Sequence, residues 1–215
     1  RKIPYLGVCL GQQTLVKAAG GRVVKSPVKE GGFRDPEGGR FSVELTGKGK
    51  ADPLFAGLGD AFDVFQLHGE TVEPAAGMTV LGTGRFCRNQ IVKAGTNAYG
   101  IQCHFELTPE MFETWIKEDP DLSKLATQDL RKEFTAMQKS YTQTGRRLLA
   151  NFLNIAGFCS VLLAICLFFS MSVSTVQAEG FGGSSAGAQS QQMMKDMKRK
   201  RAVQQIKSEN RARKE

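Results

Sequence analysis

The stretch that decides the fold lies at residues 3–21 and has the sequence IPYLGVCLGQQTLVKAAGG. Its apolar first part, residues 3–10, predicts a buried strand that runs into a tight turn, because short apolar runs bounded by glycine are typical of buried strands. Residues 11–19 predict a helix, which Gly20 and Gly21 end. A strand, a tight turn and a helix therefore follow one another in this stretch.

A cysteine lies at the centre of this turn, in Gly7-Val8-Cys9-Leu10-Gly11. A nucleophile between two such glycines is held in a strained conformation at the end of a strand, and the glycines leave room for the turn and for a substrate. The amino terminus of the following helix carries free N–H groups and partial positive charge, which favour a thiolate. Taken alone, the motif fits a catalytic cysteine and a buried structural cysteine equally well.

A second motif, GIQCHFE at residues 100–106, brings a histidine close to a carboxylate. Side chains alternate along a strand, so we expect His104 and Glu106 to point to the same face. A carboxylate there can hold the imidazole in the tautomer that accepts a thiol proton. A Cys–His pair oriented by a third group is the general pattern of nucleophilic catalysis. The second motif alone also fits a polar edge strand, but the two motifs together favour catalysis.

The two motifs together resemble those of class I glutamine amidotransferases. The elbow of that family has the form G-x-C-x-G-x-Q, which GVCLGQQ at residues 7–13 matches at every fixed position, and its later strand has the form G-x-Q-x-H-x-E, which GIQCHFE matches. Residues 67–95 are similar to the family's histidine-containing turn and hairpin, and residues 106–116 to the helix after its triad. The resemblance covers residues 3–157 and is strongest to stand-alone members that are similar to the amidotransferase part of guanylate synthetase.

The fold that this resemblance implies is α/β, a three-layer, flavodoxin-like domain of the class I glutamine amidotransferase type. In that family a strand and a glycine-rich loop precede the elbow and supply a second oxyanion donor, whose loss costs about 100- to 1,000-fold in rate. Those elements would lie before Arg1, so we expect the domain at residues 1–157 to be N-terminally truncated, missing its first strands and poorly active by itself. The alternative is that residues 3–9 are the natural first strand of a smaller fold.

The resemblance also implies the catalytic roles. Cys9 would be the nucleophile that attacks the side-chain amide of glutamine. His104 would act as general base and then as acid, and Glu106 would orient His104. The products would be glutamate and ammonia, and delivery of the ammonia to an acceptor implies an ammonia-accepting synthetase as partner.

Four further residues are implied in substrate binding. The backbone N–H of Leu10 would donate to the oxyanion, because Leu10 follows the nucleophile. Gly11 belongs to the elbow, and Gln13, at its last fixed position, would help to hold the glutamine. His68 would shape the rim of the pocket rather than take part in catalysis.

Composition and charge limit the other function classes. Of the 215 residues 41% are hydrophobic and 23% charged, which excludes wholesale disorder, collagen and a disulfide-stapled miniprotein. The five cysteines include no C-x-x-C pair, which favours reduced thiols in a cytosol-like compartment. We expect no cofactor and no metal, because the sequence has no P-loop, dinucleotide fingerprint or zinc spacing. The formal net charge of +8 comes mostly from residues 177–215, with nine Lys/Arg against four Asp/Glu, so no specific nucleic-acid partner is expected.

The remainder of the domain predicts strands first and helices last, the order of an α/β layer architecture. A segment rich in glycine, proline and charge, residues 25–40, predicts a loop. Thr108-Pro109 predicts a helix start, with Thr as N-cap and Pro in the first turn, and this helix runs to about residue 118. The predicted strands are 41–46, 61–67, 78–83, 90–93 and 98–104, and the other predicted helices are 122–139 and 141–156.

A hydrophobic segment follows the domain. Residues 148–178 contain no charged residue, and the apolar run at 156–176 would be about 31 Å long as a helix, enough to span a bilayer. We predict a transmembrane or signal-like hydrophobic helix at 158–176, then a flexible linker and basic tail at 177–215. A cytoplasmic catalytic domain would then be anchored to a membrane. The alternatives are a buried C-terminal helix and two reading frames joined near residue 157.

Three functions therefore stay open on the sequence. The first is glutamine amide hydrolysis with ammonia transfer. The second is hydrolysis of another γ-glutamyl amide by the same triad. The third is a non-catalytic, membrane-anchored binding protein.

Overall fold

The structure is a computed structural model that describes residues 3–158. All of them belong to the first of the two units into which the chain divides, Arg1–Cys166. The strands and α-helices of this part are, in chain order, β1 (Tyr5–Val8), α1 (Leu10–Ala18), β2 (Arg22–Gly32), β3 (Ser42–Leu45), α2 (Gly47–Lys50), β4 (Ala61–Asp63), β5 (Gln66–Glu73), β6 (Thr79–Thr83), β7 (Ile91–Ala94), β8 (Ala98–Ile101), α3 (Pro109–Glu118) and α4 (Thr127–Ile155). Single 3₁₀ turns lie at Pro53–Phe55 and Leu122–Lys124.

Six of the strands form one mixed sheet in the order β1-β8-β7-β6-β3-β4. Strand β1 runs parallel to β8, with Gly7 opposite Gly100 and Val8 opposite Ile101. The other pairs of this sheet are antiparallel. The pairing of β1 with β8 brings the starts of the two predicted motifs side by side, and so positions the site.

Strands β2 and β5 pair with each other in a separate antiparallel ribbon. The pairing shifts between Lys25 and Glu30, so Pro27 lies where the ladder is interrupted. A proline cannot donate a ladder hydrogen bond and is accommodated at such irregular positions. Our prediction of a loop over residues 25–40 is therefore wrong for its first part, because the ribbon with β5 provides backbone partners that the local sequence does not reveal.

The predicted strand 61–67 is also divided. Residues 61–63 form β4 at the edge of the six-stranded sheet, whereas β5 begins at Gln66 and belongs to the ribbon. Between them Val64 and Phe65 are fully buried. Residues 61–67 therefore look like one strand in the sequence because Val64 and Phe65 are buried between two strands that belong to different sheets.

Two predicted helices, 122–139 and 141–156, are replaced by one 3₁₀ turn and the single 29-residue helix α4. Neither Ser140 nor Gly145 interrupts α4. Apolar residues recur along it at the three- and four-residue spacing of a buried helical face, and the buried ones are Leu130, Phe134, Met137, Tyr141 and Leu148. This face covers both parts of the core, because Leu148 packs with the large sheet and Phe134 with the aromatic cluster under α3.

The helix predicted at Thr108-Pro109 is confirmed. The Thr108 hydroxyl accepts a hydrogen bond from the Met111 backbone N–H at 3.2 Å, and the helix ends at Glu118. The α/β class is also confirmed. Within residues 3–158 the sheet is mixed, and β1–β8 is its one parallel pair.

The predicted hydrophobic helix and basic tail lie outside the described residues, apart from the first residues of the apolar run. Within residues 3–158, no helix combines the length and the apolar composition that crossing a membrane requires.

Candidate active site

The turn between β1 and α1 holds Cys9 in a conformation that side chains rarely adopt. Its φ is 51° and its ψ is −104°, and among residues 3–158 it is the single non-glycine residue with positive φ. Its backbone N–H donates to the Ile101 carbonyl at 2.7 Å, which fixes the turn to the end of β8. Backbone strain at one residue persists only where the surroundings hold it, and such residues are concentrated at functional sites.

Glycines let the backbone segments around Cys9 approach closely. A Cβ at residue 7 would lie 2.5 Å from the backbone carbon of Gly11. A Cβ at residue 100 would lie 2.9 Å from the side chain of Gln12 on α1. The glycines at these positions therefore bring α1 against the strands, and the tight turn predicted from the sequence is confirmed.

His104 lies just beyond β8, where the chain leaves the sheet. Its backbone N–H donates to the Phe65 carbonyl at 2.8 Å, and its own carbonyl accepts from the Phe65 N–H at 3.3 Å. We predicted from alternation that His104 and Glu106 lie on a regular strand, and this prediction is wrong. They nevertheless meet, because the carboxylate turns back to the imidazole: Glu106 Oε1 lies 2.6 Å from His104 Nδ1.

The second carboxylate oxygen of Glu106 accepts a hydrogen bond from the Phe105 backbone N–H at 2.8 Å. Burial alone would raise the pKa of Glu106, but the hydrogen bonds from His104 and from the backbone outweigh burial and lower it. Glu106 is therefore an ionised acceptor for Nδ1, which leaves Nε2 of His104 for other contacts.

The ring of His104 is hydrogen-bonded to Glu106, and Cys9 is its other polar side-chain neighbour. Burial disfavours the charged ring, but the interactions with Cys9 and Glu106 outweigh it and raise the pKa of His104 to about 9. At neutral pH the ring is therefore an imidazolium. A cationic neighbour of this kind is one of the settings in which a cysteine reacts as a thiolate.

Aromatic side chains surround the histidine ring. The indole of Trp115 on α3 lies edge-on to it, with ring centroids 4.9 Å apart, and Phe65 contacts it at 6.4 Å. The sequence interpretation gave Trp115 a packing role. Its packing partner is the histidine itself, so α3 holds His104 in place.

Two further groups contact the sulfur of Cys9. The carbonyl of Leu67, at the start of β5, lies 3.8 Å from Sγ. The side-chain Nε2 of Gln102 donates to Sγ at 3.6 Å. Sequence reasoning missed Gln102 as a site residue, and the signal that could have identified it is its fixed position in G-x-Q-x-H-x-E.

The other candidate residues of the elbow lie beside Cys9 on the first turn of α1. Leu10 is the first residue of the helix and its side chain is 68% exposed. Because the first N–H groups of a helix have no acceptor within it, the Leu10 amide is available to a ligand. The Gly11 carbonyl accepts from the Tyr5 hydroxyl at 2.9 Å, and Gln13 is buried one turn further along.

His68, which we expected to shape the rim of the pocket, is a buried residue of β5. Its ring is buried, with Nε2 2.7 Å from a carboxylate oxygen of Glu30 and Nδ1 2.9 Å from the Glu70 carbonyl. The reason is that β5 turns this side chain toward β2, where Glu30 is its register partner. The ring itself is thus directed away from solvent, and its neighbour Leu67 contacts Cys9.

Glu30, His68 and Cys87 form the cluster of possible metal ligands in the described part of the chain, with ligand atoms within 4.8 Å of one another. Two ligands of one tetrahedral zinc lie about 3.3 Å apart, from bonds of about 2.0 Å, whereas Glu30 and His68 lie at the hydrogen-bond distance of 2.7 Å. Burial also raises the pKa of Cys87 to about 11, which keeps it a thiol. In this geometry the cluster fits a hydrogen-bonded group better than a metal centre.

Comparison with curated proteins finds relatives that are similar to about half or more of this chain. A glutamine amidotransferase-like protein of Salmonella typhimurium, YfeJ, is 36% identical over 112 residues, which cover 52% of this chain and 44% of that protein. A glutamine-hydrolysing GMP synthase of Thermosipho africanus is 34% identical over 152 residues, which cover 69% of this chain and 27% of the synthase. A γ-glutamyl-L-1-hydroxyisopropylamide hydrolase of Pseudomonas is 33% identical over 108 residues, which cover 49% of this chain and 36% of the hydrolase. The chain spans less than half the length of these relatives.

The fold is likewise similar to that of a solved glutamine amidotransferase. The crystal structure of the enzyme from Thermotoga maritima matches with a TM-score of 0.58 and 26% identity, over 71% of this chain and 62% of that one. The family model of class-I glutamine amidotransferases matches residues 1–119, which include the elbow at Cys9 and the motif of His104 and Glu106. The chain belongs to the class-I glutamine amidotransferase family.

Proposed function

We propose that this chain hydrolyses the side-chain amide of glutamine through Cys9, His104 and Glu106 and supplies the ammonia to an acceptor on a partner synthetase. The observation that carries the proposal is the hydrogen bond of the His104 imidazole to Glu106, beside the strained turn at Cys9 that the backbone of Ile101 fixes to the end of β8. Family membership supports the substrate class. The similarity to a GMP synthase supports an ammonia-accepting partner.

The reaction begins with His104 already protonated, because its pKa is raised to about 9. The Cys9 thiolate attacks the amide carbon of glutamine and forms the C–S bond of a tetrahedral oxyanion. The oxyanion collapses as the C–N bond breaks, and His104 donates its proton to the leaving nitrogen, which departs as ammonia. His104 thus acts first as an acid, whereas the family resemblance implied a base first.

Hydrolysis of the resulting thioester uses His104 in its neutral form. The ring takes a proton from a water molecule, whose oxygen attacks the carbonyl carbon. The C–S bond then breaks, glutamate leaves and the Cys9 thiolate is restored beside an imidazolium. Glu106 holds Nδ1 throughout and stabilises the charged ring in each state.

The elbow supplies contacts to the reacting carbonyl. The N–H of Leu10 would donate to the oxyanion, since it is the first amide of α1. Gly11 has no side chain and so would leave the approach to this amide open. Gln13 lies one helical turn further along α1 and would bind the part of the substrate glutamine away from the reacting amide. His68 would act through the backbone, since its contacts with Glu30 and the Glu70 carbonyl hold the start of β5, where Leu67 lies next to Cys9.

Release of glutamate and ammonia from glutamine tests this proposal. We expect turnover by the full chain, and a loss of about 1,000-fold or more in Cys9→Ala and in His104→Ala. Cys103→Ala is the matched control. Cys103 is also a buried cysteine, but in the described part of the chain its sulfur is not part of the hydrogen bonds that join the site residues. Turnover that persists in Cys9→Ala would contradict the proposal.

Hydrolysis of another γ-glutamyl amide is the second candidate, favoured by the similarity to the Pseudomonas hydrolase. The same residues would perform it, because glutamine and a γ-glutamyl alkylamide differ only in the leaving amine. A panel of γ-glutamyl alkylamides measured against glutamine separates the two. A higher kcat/KM for an alkylamide supports the second candidate, and turnover of neither substrate supports a non-catalytic binding protein.

A further inference from the structure

Gln102 is a fully buried glutamine whose side chain points at the sulfur of Cys9. Its exposed fraction is 0%, and its Nε2 donates to Sγ at 3.6 Å. The backbone N–H of Gln102 donates to the Gln90 carbonyl at 2.7 Å, which fixes the residue next to β7. A buried amide held in this way has little freedom to turn to another partner.

The two ends of this amide are not equivalent. Within residues 3–158, Oε1 of Gln102 has no hydrogen-bond partner, whereas Nε2 has the sulfur. Leaving a buried carbonyl oxygen unpaired costs about 1–3 kcal/mol. Three other buried glutamines in this part of the chain, Gln12, Gln66 and Gln90, also have an unpaired Oε1, so the contact of Nε2 with the sulfur is what distinguishes Gln102. A hydrogen bond to a charged group is worth more than one to a neutral group.

We propose that Gln102 is a further catalytic residue of this site, whose Nε2–H stabilises negative charge on the sulfur of Cys9 independently of His104. This inference rests on the proposed function of Cys9 as the nucleophile. An amide does not titrate, so its hydrogen bond is present whether His104 is charged or neutral. It therefore stabilises the thiolate in the resting site and again when the thioester expels the sulfur, in each case in addition to the imidazolium of His104.

The rate of alkylation of Cys9 by iodoacetamide tests the inference without the glutamine pocket. In this reaction the thiolate carbon–sulfur bond forms as iodide leaves, so the pH at half-maximal rate reports how readily the thiolate forms. In Gln102→Met, which keeps the length and removes the donor, we expect that pH to rise by about one unit. Gln102→Glu, which places a carboxyl group there, should raise it further. Peptide mapping assigns the modification to Cys9.

Gln90→Met is the matched control. Gln90 is also fully buried, also has an unpaired Oε1, and makes its side-chain hydrogen bond to Glu30 at 3.2 Å instead of to Cys9. The pH dependence of Cys9 alkylation in Gln90→Met should coincide with that of the wild type. Coincidence of the Gln102→Met and Gln102→Glu profiles with the wild type would overturn the inference. A shift to lower pH would also overturn it, because the amide oxygen would then accept from the neutral thiol.

Glutaminase assays on the same proteins keep the two proposals apart. If both hold, Gln102→Met lowers kcat about tenfold and leaves KM near the wild-type value, because the donor contacts the sulfur and not the substrate. A wild type that does not turn over glutamine, with the alkylation shift intact, contradicts the proposed function alone. Normal turnover by the wild type with no alkylation shift contradicts the role of Gln102 alone.

Discussion

The Nδ1 atom of His104 and the Oε1 atom of Glu106 lie 2.6 Å apart, although both residues follow the end of β8. Burial opposes a charged His104, yet its contacts with Cys9 and Glu106 raise the pKa of His104 to about 9. Conversely, these contacts lower the pKa of Glu106. The two residues thus form a charge pair over the whole neutral range, in which the His104 ring is buried and the Glu106 carboxylate is 34% exposed.

Glu106→Gln removes the charge that favours the imidazolium. We expect activity to fall about 100-fold and the alkaline limb of the kcat/KM profile, which reflects loss of the His104 proton near pH 9, to move to lower pH. Glutamate release between pH 6 and pH 10 measures both effects. An unchanged alkaline limb would show that Glu106 does not set the proton affinity of His104.

The same pair makes stability depend on pH. Because the pKa of His104 is raised in the folded state, its contribution is complete below about pH 6.5 and is lost as pH rises through about 9. The contribution of Glu106, whose pKa is lowered, is lost as pH falls through its ordinary range near 4.3. Urea unfolding of wild type and His104→Gln should therefore differ most near pH 5–6 and converge above about pH 9. A difference that stays constant with pH would contradict the linkage.

Helix α4 packs closely against the chain segment between His104 and Glu106. Gly145 lies against the Phe105 carbonyl, and a Cβ at residue 145 would clash with its oxygen. In Gly145→Ala we expect a loss of about 1–3 kcal/mol of stability and a loss of activity, although alanine normally favours a helix interior. Gly47→Ala in α2, where a Cβ meets nothing within 4 Å, is the control. Equal stability of both variants would refute the close contact.

A buried ion pair stabilises the sheet on the side away from the site. Lys93 Nζ lies 2.6 Å from an oxygen of Asp52, whose side chain is 6% exposed and also accepts from the Tyr99 hydroxyl at 3.1 Å. Lys93→Met leaves the Asp52 charge without its cation and should cost about 3 kcal/mol. Lys29→Met, which breaks the exposed pair with Asp121, should cost at most about 1 kcal/mol. Chemical unfolding of both variants measures the contrast, and similar losses would contradict it.

The cysteines of the described part should differ in reactivity. Burial raises the pKa of Cys87 to about 11 and raises that of Cys103 well above its usual value. Cys9 is partly exposed and contacts an imidazolium. At pH 7, brief alkylation of the folded protein should therefore modify Cys9 and leave Cys87 and Cys103 intact until the protein is denatured. Peptide mass mapping before and after denaturation checks this order.

The sequence predicted the parts of the fold that local chemistry determines. The turn at Cys9 follows from two glycines between an apolar strand and a helix, and the start of α3 follows from its Thr108 cap. Strand β2 was missed because its backbone partners lie on β5, 34 to 51 residues along the chain. The division of residues 61–67 was missed because apolar residues such as Val64 and Phe65 predict burial without indicating which of the two sheets the neighbouring residues join.

The same distinction holds at the candidate site. Cys9, His104 and Glu106 could be named because their residue types and motif spacing carry the chemistry. The hydrogen bond from Gln102 to the sulfur of Cys9 could not be predicted from the sequence, because it depends on the path of the chain after β8. His68 was expected at a rim, whereas pairing with Glu30 across the β2–β5 ribbon buries its ring.

The most direct test of the account is covalent labelling with the diazoketone analogue of glutamine at pH 7, followed by intact mass. The diazo carbon would take up a proton, and the attacking Cys9 thiolate would then displace dinitrogen and form a thioether, which requires both a reactive sulfur and a glutamine pocket. We predict one label per chain in the wild type and in Cys103→Ala, and none in Cys9→Ala. Labelling that persists in Cys9→Ala, or its absence from a folded wild type, would contradict the claim that Cys9 is a glutamine-directed nucleophile.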